Sequence, residues 1–324
     1  MDVDYPVDLA ILVSYFVFIF GLIGLLGPTI GRAAKDSKQG TWTFLVLTVV
    51  AFASTWTFML KYFVHSYHEH MDDQGVSLNS VSHWLHSVSL FVDAWRTVSV
   101  GAWQWLWSHQ ICTFTVAVWT PFLAIEGYRR GIPYLWAYML LGQVVAISVA
   151  SGLFFAVLTT TQTKQSSQGA PLSLLACVFV GTITVVLSPF VAEDASFMWN
   201  LLAMHAVLLP PLLPRSSQSH RLPTAAIYLL AAGANLAIYS QQWFACLFTT
   251  DAWSLFSTFI AHPAQGSISS DVVCVQILCV AWMVQQRSKE GWVLALLTPF
   301  LSASVTFPLY QALAELPRGH AKSN

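Results

Sequence analysis

Glu126, Arg129 and Arg130 stand together in "TPFLAIEGYRRGIPYLWAYMLLGQ", residues 120–143, between two strongly apolar runs. A helix brings cations at i+3 and i+4 alongside an acid. The trio is then either a surface ion pair at a turn or a carboxylic acid at a bundle mouth, its proton affinity set by burial and by the two arginines. A second acid, Asp93, sits in "SLFVDAWR", with Arg96 at i+3 and His86 seven residues before it on the same helical face. It reads as part of a solvated polar face or as a second proton donor, so Glu126 and Asp93 are the candidate catalytic acids. Trp95, Trp103, Trp105, Trp107 and Trp119 crowd the same region. Tryptophans line both membrane interfaces, but aromatic faces also stabilise a cation. Trp95, Trp103, Trp107 and Trp119, with Arg129 and Arg130, are the candidate pocket wall.

Other polar residues fit blander roles. Glu193 and Asp194 are neighbours and point apart on a helix, while Asp251 and Asp271 read as helix caps. His65, His68 and His70, with His83 and His86, are grouped like the boxes of membrane di-iron enzymes. A third box is missing, because His109, His205, His220 and His262 are solitary. "DDQGV" lacks the third acid of a magnesium–diphosphate cluster, and no P-loop, nucleophile elbow or dinucleotide glycine fingerprint appears. Neither a metal nor a cofactor is expected. Cys112, Cys177, Cys246, Cys274 and Cys279 lie in or beside apolar runs and read as small core hydrophobes.

The elements that must hold these residues follow from composition. Of 324 residues, 56% are hydrophobic and 9% charged. The mean hydropathy is +0.62. A soluble domain carries roughly 25% charged residues, so most of this surface cannot face water. A net charge of -1 gives no hint of nucleic acid. Apolar runs recur near 8–30, 42–64, 110–126, 133–160, 171–191, 197–213, 224–248, 271–287 and 291–313. Runs of about 20 residues suit bilayer-crossing helices, whose backbone groups are satisfied within the segment. The fold class expected is all-α: one polytopic integral membrane helical bundle over residues 1–324. The first run reads as a retained span, since its acidic start does not resemble a signal peptide.

Arg32, Lys35 and Lys38 face an acidic N-terminus across the first run, which places the N-terminus outside, or lumenal. Nine spans would put Arg215/Arg221 and Arg287/Lys289 on that same outer side, so eight spans are expected and nine is the alternative. The run 197–213 ends in "LLPPLLP" and reads as re-entrant or kinked. Residues 65–109 are polar and then amphipathic, and read as a helix at the interface or packed into the bundle mouth.

Residues 126–155 resemble the fungal membrane-bound terpene cyclases of the ascofuranone and ascochlorin type. The pattern is E-G-x-R-R-x-I-P, then W-A, then G-Q-x-V-A-I-S and an F-F pair. Here it reads Glu126, Gly127, Arg129, Arg130, Ile132, Pro133, Trp136, Ala137, Gly142, Gln143, Val145, Ala146, Ile147, Ser148, Phe154 and Phe155, about a tenth of the chain. The resemblance adds Gln143 to the candidate pocket residues and assigns no catalytic acid. It implies isomerisation of a farnesyl-type prenylated aromatic in meroterpenoid biosynthesis, at the endoplasmic reticulum. An acid protonates the terminal epoxide or alkene, and double bonds then attack in sequence. A lipophilic carrier is the rival expectation, and a di-iron lipid-modifying enzyme a third.

Overall fold

The computed structural model describes residues 3–71, 75–164, 169–213, 221–248 and 251–316. Arg215 and His220 lie outside them. The chain is almost wholly helical. It runs α1 (Pro6–Lys35), α2 (Thr41–Met71), α3 (Leu78–Ser87), α4 (Leu90–Ser99) and α5 (Ala102–Thr113). A π-helical turn, Phe114–Trp119, leads into α6 (Thr120–Arg130). Then come α7 (Leu135–Val144), α8 (Ile147–Thr160), α9 (Leu172–Val191), α10 (Phe197–Ala206), α11 (Thr224–Leu247), α12 (Ser254–Phe259), α13 (Pro263–Gln285), α14 (Lys289–Leu301) and α15 (Ala303–Glu315). One antiparallel pair of two-residue strands joins Ala170–Pro171 to Arg221–Leu222.

Five helices among the described residues are long and apolar enough to cross a membrane: Pro6–Lys35, Thr41–Met71, Ala102–Arg130, Leu172–Val191 and Pro263–Gln285. Their outward faces agree. Val13, Val17 and Phe20 on α1, and Phe179 and Phe190 on α9, are all exposed. Apolar surface of that extent suits lipid rather than water.

The structure departs from the expected spans at three places. The run from 110 starts earlier, because Ala102–Arg130 is one continuous helix and the most deeply buried of the five. Residues 102–109 therefore belong to the bundle interior, and only α3 and α4 remain of the amphipathic segment. Its polar residues are tolerated inside because each closes a bond on its own helix. His109 Nδ1 donates to Trp105 O (2.8 Å), Gln110 Nε2 to Leu106 O (2.8 Å) and Ser108 Oγ to Gln104 O (3.1 Å). The π turn has a local cause. Pro121 has no N–H to donate, and the Thr120 N–H reaches back five residues to Thr115 O, with Thr120 Oγ1 on the same carbonyl at 2.8 Å.

The runs 133–160 and 291–313 are each broken in two. The second breaks at Ser302, at φ 69°, whose side chain caps α15 through Ser304 N. The first breaks between Val144 and Ile147, and Asp271 of α13 fills the gap. Its Oδ1 accepts from Ser148 N (2.8 Å) and its Oδ2 from Ile147 N (3.1 Å). Asp271 is 6% exposed. It is a cap, as expected, but of α8 rather than of its own helix. Two amide N–H groups buried in the bundle would lose their acceptor in Asp271→Ala. A stability loss of about 2–3 kcal/mol is expected, read as a lower melting temperature in detergent, and an unchanged melting curve would remove Asp271 from this role.

Candidate functional site

The short sequence Glu126–Arg130 closes α6 and meets three other elements. Gly131, in the left-handed region at φ 65°, ends the helix, and the Ile132 N–H turns back to Gly127 O at 2.9 Å. Glycine capping of this kind satisfies the last carbonyls of a helix. Gly127 has a separate reason: a Cβ there would lie 2.3 Å from Leu135 Cδ2.

Glu126 is bonded at both oxygens. Arg129 Nη1 donates to Oε1 (2.9 Å) and Arg130 Nε to Oε2 (3.1 Å). Arg129 also holds Glu315 at the end of α15 through both terminal nitrogens, one at 2.9 Å, and donates to Thr224 Oγ1 at the start of α11 (3.2 Å). Arg130 Nη1 donates to Thr161 O beyond the end of α8. The three ion-paired side chains Glu126, Arg129 and Glu315 are only 13–19% exposed. This is a balanced, half-buried cluster of two arginines and two glutamates that gathers four helix ends. Neither Glu126 oxygen can turn to a substrate without giving up a guanidinium contact.

One turn inward from Glu126 on α6 stands Phe122, the start of an aromatic column. Phe122 meets Phe307 at 5.2 Å, Phe155 at 5.7 Å and Phe154 at 6.1 Å between ring centroids. Trp119 crosses Phe154 edge-on at 5.5 Å, and Trp282 stacks on Phe155 at 5.0 Å. These contacts lie in the range favoured by aromatic pairs. Trp119 is fully buried and its indole Nε1 has no hydrogen-bond partner. Phe154 and Phe155 come from α8 and Phe307 from α15, the two helices that begin at interior breaks.

The remaining candidates lie elsewhere. Asp93 pairs with Arg96 at 3.1 Å, both more than 40% exposed, and Arg96 Nε also donates to Ala192 O. Trp95 packs against His205, whose carbonyl accepts from Gln143 Nε2 at 3.1 Å. Trp103 crosses Trp243 edge-on, and Trp107 Nε1 donates to Leu255 O. Of the expected pocket residues, then, Trp119, Arg129 and Arg130 converge with Glu126. Trp95 and Gln143 share one neighbourhood at His205, while Trp103 and Trp107 pack toward the α11–α12 side. His83 and His86 pair with Asp4 (2.7 Å) and Asp8 (3.1 Å), and His65 with Glu69 (3.2 Å). Cys246 Sγ donates to Ala102 O at 3.2 Å, and Cys112 and Cys279 are buried.

Sequence reasoning passed over Glu315, Thr224 and Tyr228. Glu315 gave a signal, being an acid at the end of an apolar run; Tyr228 gave none beyond its place one turn after Thr224.

A family model described as a protein of unknown function, DUF2834, matches residues 225–316. That stretch runs through α11–α15 and holds Tyr228 and Glu315 but stops short of Glu126. No curated protein matches the chain, and no solved structure matches it.

Proposed function

We propose that this chain is a membrane-bound terpene cyclase of eight spans that isomerises a farnesyl-type prenylated aromatic by acid-initiated cyclisation. The observation that carries the reading is the meeting of Glu126 and its arginines with one end of a buried aromatic column. The resemblance across residues 126–155 covers the same structure, from the acid to Phe154 and Phe155. An epoxide oxygen needs a hydrogen-bond donor where its C–O bond weakens, and water must be kept out so that the cation is not quenched early. The carbon chain needs ring faces along which positive charge can travel. An oily substrate enters such a site from the bilayer. The rings are closed on one another, so entry requires α8 and α15 to move apart from α6, and the breaks before each supply the hinges. The cluster end is the cytoplasmic one, in the endoplasmic reticulum.

Of the two candidate acids, Glu126 is the one beside the column. Asp93 is solvated and holds Arg96, an exposed pair worth about 0–1 kcal/mol. Asp93→Asn is expected to keep product formation within about twofold of the unaltered protein, and a loss beyond tenfold would move the site to α4. The reading as a whole is tested by incubating microsomes that contain the protein with an epoxyfarnesyl phenol. A cyclised product of unchanged mass supports it; recovery of only the starting epoxide overturns it.

One observation favours a second reading, a carrier for a lipophilic metabolite. Interrupted helices that meet in the membrane interior are a feature of transporters, and here α8 and α15 both begin against α13. A carrier would change the epoxide's location across the vesicle and leave its structure alone.

A further inference from the structure

Most buried hydroxyls in this bundle are satisfied in one of two ways; those of Ser99, Ser148, Ser151, Tyr138 and Tyr228 are not. Threonines donate one turn back on their own helix, as Thr48 does to Phe44 O and Thr113 to His109 O. A tyrosine cannot do this, since its hydroxyl lies at the far end of a rigid ring. Tyr62 and Tyr239 therefore donate to carbonyls of other elements, at Leu90 and Phe300. Tyr228 breaks the pattern. It is 1% exposed and its hydroxyl has no hydrogen-bond partner. An unmade buried hydrogen bond costs about 1–3 kcal/mol, and phenylalanine would pack the same ring without that cost.

Its position gives the oxygen a use. Tyr228 lies four residues beyond Thr224 on α11, so it stands on the same helical face one turn deeper. Thr224 is the residue that accepts from Arg129. The Arg129 guanidinium, which also holds Glu126 and Glu315, is therefore anchored one helical turn from the Tyr228 ring. The phenol thus stands between the ion cluster and the apolar interior. Tyr138, the other buried tyrosine with an orphaned hydroxyl, packs on Phe154 away from those charges.

We infer that Tyr228 is a catalytic residue whose O–H meets the epoxide oxygen of the substrate, first as a hydrogen-bond donor and then as the proton source. This rests on the cyclase reading above. The tertiary C–O bond of the epoxide breaks with its electron pair staying on oxygen. That oxygen takes the Tyr228 proton and becomes a hydroxyl, while a chain alkene attacks the carbon it leaves. The Arg129 guanidinium offsets the phenolate in the interval. The proton lost from carbon when the cascade ends returns to the phenolate, so nothing is added or removed and the product is an isomer.

The test is Tyr228→Phe in the full-length protein, purified in detergent, with an epoxyfarnesyl phenol as probe. The variant is expected to melt at or above the temperature of the unaltered protein, because an orphaned hydroxyl is removed, and to convert the probe about 100-fold more slowly. A lower melting temperature would mean that the oxygen has a structural partner, and that result overturns the inference, as does full conversion. Failure of the cyclase reading has a different signature: the unaltered protein converts nothing. The inference is then read from binding alone. A rise in melting temperature on adding the probe to the unaltered protein, absent in Tyr228→Phe, supports Tyr228 as the oxygen contact; equal shifts in both, or none in either, overturn it.

Discussion

Glu126→Gln is expected to lower formation of cyclised product at least about 100-fold, because this carboxylate holds both arginines in place beside the proton donor Tyr228. The substitution keeps size and shape and removes one charge. An amide still offers an oxygen to one arginine, but its NH2 then faces the other guanidinium, donor against donor. The cluster falls from two cations against two carboxylates to two against one. Arg129 is left to Glu315 and Thr224, and Arg130 to Thr161 O. An unbalanced cation at this end opposes the positive charge that develops as the epoxide opens, and the guanidinium no longer sits where the Tyr228 phenolate needs it. Both arginines keep these other partners, so folding survives and the loss appears in chemistry. Measured in microsomes with the amount of protein equalised, conversion by Glu126→Gln within tenfold of the unaltered chain would show that this acid is not part of the reaction.

Much of this arrangement was legible in the sequence, and the gaps have physical causes. The spacing of Glu126, Arg129 and Arg130 implied that they would meet, because the periodicity of a helix alone brings them alongside. Glu315 and Thr224 belong to the same cluster through contacts made across 186 and 95 residues of sequence, and no local pattern encodes those. The continuous apolar runs gave the helices but not their breaks. Residues 144–147 are as hydrophobic as their neighbours, and the interruption is stabilised by Asp271 from a helix more than a hundred residues away. In the segment from Ala102 the opposite error arose. By sequence it belongs to the amphipathic stretch 65–109, which Asp93, Arg96 and histidines interrupt, yet Ser108 Oγ, His109 Nδ1 and Gln110 Nε2 each reach a carbonyl one turn back and the segment lies inside the bundle. Polarity counted per residue does not distinguish a side chain that needs water from one that has already found a partner. The tryptophans show the same limit: five crowd between residues 95 and 119, yet the column takes Trp119 from that group and Trp282 from α13.

Arg129→Met should produce the largest loss of stability of any single change at the cluster, about 2–4 kcal/mol. One guanidinium holds carboxylates from α6 and α15 and the first residue of α11. Without it, Glu126 and Glu315 face each other across a space that is mostly shielded from water, with the charge between them gone. Lysine is expected to recover little, since a point charge cannot bridge both carboxylates and the threonine as a planar fork does. Adding Glu315→Gln to Arg129→Met removes the repulsion, so the double variant should melt above Arg129→Met, the effect growing as salt is lowered. Strict additivity of the two changes would show that the four charges do not act as one unit. Activity separates the two roles of the arginine. The double variant regains stability but still lacks a cation beside Tyr228, so its conversion of the epoxide should stay as low as that of Arg129→Met. Recovery of both together would reduce the cluster to a clamp on four helix ends and leave the chemistry to be found elsewhere along the column.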